Sequence, residues 1–231
     1  MKKNYLAIVL LIVICLVIFV ACKKTDAPEK TGLEKCVSTY TDGVFVGLNE
    51  DFNASFLTGE KEKLIVIDGE VGELAPFATL TVTPLSAELF NNTYTYLLKG
   101  ENGEKSGELV KDVVGATFSA EVTDAKDVGK ITSVIIKAEG ILESEVPLQD
   151  KLDGMISWKE ALAVAEKELA DQINTESDTG NLQREIYVKL VNALGGEDAP
   201  YYYYVSFIKS PSEYWALLLD PESGEVISKK L

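Results

Sequence analysis

No histidine occurs among the 231 residues. Ser-His-Asp hydrolysis, Cys-His proteolysis and the usual zinc sites all draw on imidazole, whose pKa lies near neutrality and whose nitrogen binds metals. None of these chemistries is open to the chain. Cysteine is nearly as scarce, with only Cys15, Cys22 and Cys36. The first two lie in or at the end of an N-terminal apolar run, which leaves Cys36 without a partner. A disulfide framework is therefore excluded, and stability has to come from packed cores. Positive charge is short as well. Twenty-two Lys and Arg stand against 37 Asp and Glu, a formal net charge of −15, with no basic stripe. Such a surface repels nucleic acid, and no nucleic-acid partner is expected.

Carboxylate and lysine chemistry remain, and three short matches bear on them. Asp178-Thr179-Gly180 spells the aspartic-protease triplet, but its polar neighbours place it in a loop. A shared catalytic proton needs two carboxylates on a buried, rigid turn. Ser206-Phe207-Ile208-Lys209 matches the S-x-x-K of penicillin-binding enzymes, and Lys30-Thr31-Gly32 matches their K-T-G. Their order is reversed, the first lies in strand-like sequence and the second in a polar tether, so chance accounts for them. Cys36 has no imidazole to act as its base and is not read as a nucleophile. The acidic groups Asp68 with Glu70, Asp124 with Asp127, and Glu50 with Asp51 fall near expected strand ends. Without D-x-[DN]-x-[DN]-G spacing they read as solvated turns. The chain is expected to be no enzyme, with no cofactor and no metal.

The N-terminus carries the first positive signal. Lys2 and Lys3 precede a charge-free run of 17 residues, 5–21, which ends in Phe19-Val20-Ala21-Cys22. This resembles a bacterial lipoprotein signal peptide, with Phe19 where such signals more often carry Leu. A positive start stays in the cytoplasm, the apolar stretch enters the bilayer, and a small residue before the cysteine permits cleavage. The resemblance implies a mature chain that begins at a lipidated Cys22 and is held by its lipid at the extracytoplasmic face of a bacterial membrane. An uncleaved anchor is the alternative, because 17 apolar residues reach the lower limit for a spanning helix. In both cases the rest of the chain faces the outside. Removing Lys2 and Lys3 with the leader makes the net charge −17. Residues 23–35 contain one large apolar side chain, Leu33, and read as a spacer of up to ~40 Å when extended.

From residue 37 to about 140, short strand signals recur at 44–48, 54–57, 64–67, 78–82, 93–98, 116–122 and 131–138, rich in Val, Ile, Thr, Phe and Tyr. Ala78, Leu80 and Val82 alternate with three threonines, the pattern of a half-buried antiparallel strand. Asn102-Gly103 marks a hairpin. Seven such strands without a helical period predict an immunoglobulin-like β-sandwich over 37–148, after a signal peptide at 1–21 and a lipidated cysteine plus tether at 22–36.

The last third changes period. Ile156-Ser157-Trp158-Lys159-Glu160-Ala161 opens a helix with a capping box, Ser157 capping and Glu160 reaching back, and the helix should run to about residue 172. Trp158, Ala161, Leu162, Ala165 and Leu169 share one stripe. Strands are expected at 185–191, 201–208, 214–219 and 225–228, with Asp220-Pro221-Glu222-Ser223-Gly224 as the last turn. A helix opening I-S-x-x-E-A-x-x-x-A, strands of the form Y-x-V-x-F, and aromatic-x-L-L-L-D-P-x-S-G-E-V-I together resemble a PepSY-type domain over 155–231. The connections at 174–181 and 192–200 are longer than in that pattern. The resemblance implies a small helix-plus-antiparallel-sheet domain, a structural role for the Asp220 turn, and a protein-binding or peptidase-modulating role. The fold class expected overall is mostly β with an α+β end, and the helix and sheet, amphipathic toward each other, predict a segment that folds by itself.

Tyr201-Tyr202-Tyr203-Tyr204, with Trp215 in the following strand, are the candidate binding residues. In a strand, Tyr202 and Tyr204 face one side and Tyr201 and Tyr203 the other. Either one pair is core and the other packs along an edge, or two rings meet a partner, for which flat apolar rings with polar tips are suited. The function expected is a lipid-anchored binding module at the cell envelope, with an envelope protein or peptide as partner. The alternative is a modulator of a secreted or cell-wall peptidase.

Overall fold

The alternation of Ala78, Leu80 and Val82 with Thr79, Thr81 and Thr83 is realised in a strand of 11 residues, β3 (Leu74–Pro84), with the first set buried and the second half-buried. A computed structural model, which describes residues 32–64, 66–113, 116–177, 182–192 and 200–231, pairs β3 antiparallel with β2 (Phe52–Glu62), and β2 with β1 (Val37–Leu48). The signal-like run, Cys22, Lys30, Thr31 and Asp178-Thr179-Gly180 lie outside the described residues. Residues 64, 66 and 67, expected in a strand, are in none. They belong to the β2–β3 connection, where Leu64, Val66 and Ile67 are exposed. The Lys63 N–H donates to the Glu73 carbonyl at 3.0 Å and closes the ladder before that apolar stretch begins. Periodicity cannot separate a short apolar run in a strand from one in a loop.

The next strands continue the hydrogen-bonded path. β4 (Tyr94–Gly100) and β5 (Gly103–Lys111) make the expected hairpin, with Gly100 opposite Gly103. Gly107 is required there because a Cβ would lie 2.9 Å from the Tyr96 ring that crosses it. β7 (Ile131–Ala138) pairs with β4 and with β8 (Leu142–Pro147). At Val110 and Lys111, β5 passes over to β6 (Phe118–Glu121), which pairs with β3. Strands along this hydrogen-bonded path share one core containing Phe52, Phe56, Leu80, Tyr94, Leu98, Phe118, Ile136 and Val146. Tyr94 sits edge-on to Phe52 at 5.4 Å and to Phe118 at 4.8 Å.

A short β9 (Gln149–Asp150) returns to β1 before the helical segment. The capping box forms as expected: the Glu160 N–H donates to the Ser157 hydroxyl at 3.3 Å, and the Ser157 N–H donates to the Glu160 carboxylate at 2.7 Å. α1 (Trp158–Glu168) is followed after Leu169 by α2 (Ala170–Ser177), and Ala161, Leu162, Ala165, Leu169 and Ile173 are buried. Beneath them run β10 (Glu185–Asn192), β11 (Tyr201–Ser210), β12 (Glu213–Leu219) and β13 (Val226–Lys230), all antiparallel.

One large sheet results, in the order β13-β12-β11-β10-β1-β2-β3-β6-β5-β4-β7-β8, and the described residues form a mostly β fold with two α-helices. The join is a parallel one, Val37 opposite Ile186 and Tyr40 opposite Val188. β1 supplies both cores: Phe45 packs with the first, while Val37, Val44 and Val46 pack with the helix-covered second, alongside Ile186, Tyr203, Val205 and Phe207. Tyr40 stacks on Trp158 at 4.1 Å. Leu33–Leu231 is accordingly one compact unit, and the stretch between 148 and 155 is partly β9. Among the described residues no helix is long and apolar enough to cross a membrane.

Candidate functional site: a tyrosine-bearing sheet face

Strand alternation splits the four consecutive tyrosines. Tyr203 has no exposure, and its hydroxyl donates to the Ile156 carbonyl at 2.9 Å. Burial, with the Glu160 charge adding, pushes its pKa up to about 12. Tyr201 packs against the same helix-covered core. Tyr202 and Tyr204 therefore lie on the opposite face of β11, half-exposed.

Register tells what surrounds them. Val191, Lys189 and Tyr187 of β10 stand opposite Tyr202, Tyr204 and Ser206. On the other side, Leu218, Ala216 and Tyr214 of β12 stand opposite Tyr204, Ser206 and Ile208. Directly opposed residues share a face, so four half-exposed tyrosines, 187, 202, 204 and 214, occupy one side of three adjacent strands. Ser206 and Ala216 at its centre are small and buried, which leaves room for the larger rings around them. Lys230 Nζ lies 3.4 Å from the centre of the Tyr214 ring, and Lys189 Nζ lies 4.8 Å from that of Tyr187. These are cation–π placements. The result is a broad aromatic surface edged by two ammonium groups on an otherwise acidic protein.

Trp215 belongs to the other side. Its ring lies 6.3 Å from Phe207 and beneath the guanidinium of Arg184 at 3.7 Å. Arg184, the one arginine of the chain, has a side chain only 3% exposed. It donates from Nε and Nη2 to Glu176 at 2.7 and 2.6 Å, and its Nη2 lies 3.3 Å from Glu213. A planar donor fork between a carboxylate and an indole is a structural clamp. Of the five residues singled out from sequence, Tyr201, Tyr203 and Trp215 thus pack toward the helix side, and Tyr202 and Tyr204 lie on the opposite face. Tyr187, Tyr214, Lys189 and Lys230 were missed. Each lies at the right parity in its own strand, but only the register places them beside Tyr204.

The other sequence candidates are not brought together. Ser206 is buried in β11, and Lys209, three residues on, is exposed and 3.2 Å from Glu213. Burial pushes the Cys36 thiol pKa up, away from thiolate chemistry. The Asp51 carboxylate accepts from the Ser144 hydroxyl at 2.7 Å, and Asp127 lies 3.5 Å from Lys105. No group of three or more metal-ligating side chains converges among the described residues.

A buried acid cluster was also invisible in the sequence. Glu185 has no exposure and Glu62 only 4%. The loop 66–72 closes over both: the Asp68 and Gly69 N–H groups donate to Glu185 Oε1 at 2.9 and 3.3 Å, and the Gly72 N–H donates to Glu62 Oε1 at 2.5 Å. Burial pushes the Glu62 pKa up, and the charges of Glu185 and Asp68 add to it against the Gly72 N–H. Glu185 Oε2 and the hydroxyls of Ser38 and Ser206 are buried without a hydrogen-bond partner among the described residues. The chain matches no protein-family model, no curated protein and no solved structure.

Proposed function

We propose that this protein is a lipoprotein, anchored through a lipidated Cys22 at the extracytoplasmic face of a bacterial membrane, and that it works there as a binding module for an envelope protein or peptide. The single observation carrying the binding role is the face formed by Tyr187, Tyr202, Tyr204 and Tyr214, with Ile208 and Leu218 among them. Aromatic rings with polar tips give large contact area at little conformational cost, and such residues dominate the energetics of interfaces. The immunoglobulin-like reading of the first half, supported by its strand-built core, makes that half a rigid support. The absence of histidine in the sequence favours binding over catalysis.

A pull-down from bacterial envelope extracts with residues 23–231 tests the role. Tyr202→Ala with Tyr204→Ala should leave the protein folded and weaken capture of the same partner by about 30-fold, since losing an aromatic anchor costs ~2 kcal/mol or more. Unchanged capture moves the contact elsewhere. Intact mass tests the anchor: the chain should begin at a diacylated or triacylated Cys22, and Cys22→Ala should retain its leader. A wild-type chain still beginning at Met1 rules the anchor out.

The second reading, a peptidase modulator with a PepSY-type end, is favoured by one arrangement. A capped helix lies on four antiparallel strands, and the final turn is ordered by its own hydrogen bonds. Asp220 Oδ1 accepts from the Glu222 and Ser223 N–H groups at 3.0 and 2.8 Å, and Gly224 takes φ +73°. Inhibition or activation of a secreted metallopeptidase on mixing supports this reading; no change in its rate counts against it.

A further inference from the structure

The first core opens at one end into a cleft of about 710 Å³ between β1, β2, β3 and the turn Ala125–Val128. Its volume is that of a site for a small organic molecule. The depth is apolar, with Phe45, Phe56 and Ile131 at the floor and Phe77 on the wall. Its mouth is acidic: Asp42, Glu121, Asp124 and Asp127 line it against one lysine, Lys126.

Two of those acids already have cations. Glu121 lies 3.9 Å from Lys61 and Asp127 lies 3.5 Å from Lys105, while Lys126 is itself 3.9 Å from Glu60. Among the described residues the other two have none. Asp42 accepts the Thr58 hydroxyl there, at 2.7 Å. Asp124 begins the turn in the left-handed region at φ +53°, and its carboxylate caps no backbone N–H. Two carboxylates with no cation among the described residues therefore stand at the mouth of an apolar cleft, held by a strand bulge at Asp42 and a fixed turn at Asp124. The aromatic wall is compatible with positive charge, since Lys61 Nζ already lies 5.3 Å from the Phe77 ring.

The geometry points to a binding site for a small organic amine, with the apolar body in the cleft and the ammonium between Asp42 and Asp124. A neutral apolar ligand would leave both carboxylates uncompensated, and an anionic one would be repelled. This site is separate from the tyrosine face, so either can fail without the other.

Dansylcadaverine, an aromatic group on a five-carbon primary amine, is a direct probe for the soluble protein 23–231. Saturable fluorescence enhancement is expected, weakening as salt rises. The N-acetylated probe, which has lost the charge, and anionic anilinonaphthalene sulfonate should bind at least several-fold more weakly. Asp42→Asn with Asp124→Asn keeps the Thr58 hydrogen bond available and should lower affinity by about fivefold, the order expected for two exposed charge contacts. Thermal melting of the double variant checks that it is folded, and Thr123→Trp, an exposed position on the lining, should block the cleft in an independently folded variant. Equal binding of the acetylated probe, no saturable signal, or unchanged affinity in both folded variants overturns the proposal.

Discussion

Asp68 donates its backbone N–H to the carboxylate of Glu185 at 2.9 Å, a bond between a loop of the N-terminal strands and the first strand of the helix-covered sheet. Glu62 lies under the same loop. Because burial raises the Glu62 pKa above its unfolded value of 4.5, the folded state binds the extra proton. Its contribution to stability is then fully present below that value and is lost as pH rises toward the folded pKa. Comparison with Glu62→Gln isolates the effect from other carboxylates. Urea midpoints should favour the glutamine variant increasingly from pH 4.5 upward, and a pH-independent difference would refute the assignment.

The two faces of β11 should separate by mutation. Tyr203→Phe removes only the hydrogen bond to Ile156 and should cost about 1 kcal/mol. Tyr203→Ala empties a fully buried site and should cost about 3–5 kcal/mol. Tyr202→Ala and Tyr204→Ala, on the outer face, should each cost less than about 1.5 kcal/mol. Denaturant unfolding of the four variants is the measurement, and equal losses on both faces contradict the orientation described.

Arg184→Lys should not be conservative. Lysine keeps the charge but loses the two-pronged contact with Glu176 and the stacking on Trp215, at a cost of about 2 kcal/mol. Tryptophan fluorescence during unfolding reports it, and a change below about 0.5 kcal/mol would mean that the clamp contributes little.

A fragment of residues 155–231 lacks Val37, Val44 and Val46, which fill its core, and Tyr40, which stacks on Trp158. Alone it should show weak near-ultraviolet dichroism and no cooperative melt. A fragment of residues 32–231 should show both. Cooperative melting of 155–231 by itself would show that β1 is dispensable to the second core.

Much of the β-rich fold was legible because local rules sufficed. The Ser157–Glu160 box, the Ala78–Val82 alternation and the hairpin near Asn102 each need only a few neighbouring residues. What was not legible is non-local. The sequence has no sign that β1 pairs with β10, nor that the apolar residues Leu64, Val66 and Ile67 leave the sheet because buried Glu62 and Glu185 bind the loop's N–H groups. The tyrosine face follows the same division. The parity of Tyr202 and Tyr204 was readable within β11, whereas Tyr187 and Tyr214 joined them only through register.

The parallel pairing of β1 with β10 also sets a timetable. A chain made from its N-terminus presents β1 long before β10 exists, and the intervening residues must close a long loop before that contact forms. Until then Val37, Val44 and Val46 have no covering helix, although Phe45 on the same strand can already pack with the first core. Completion of the molecule is therefore governed by the arrival of its last third, and a chain truncated before Glu185 would leave that valine stripe open to proteases and chaperones.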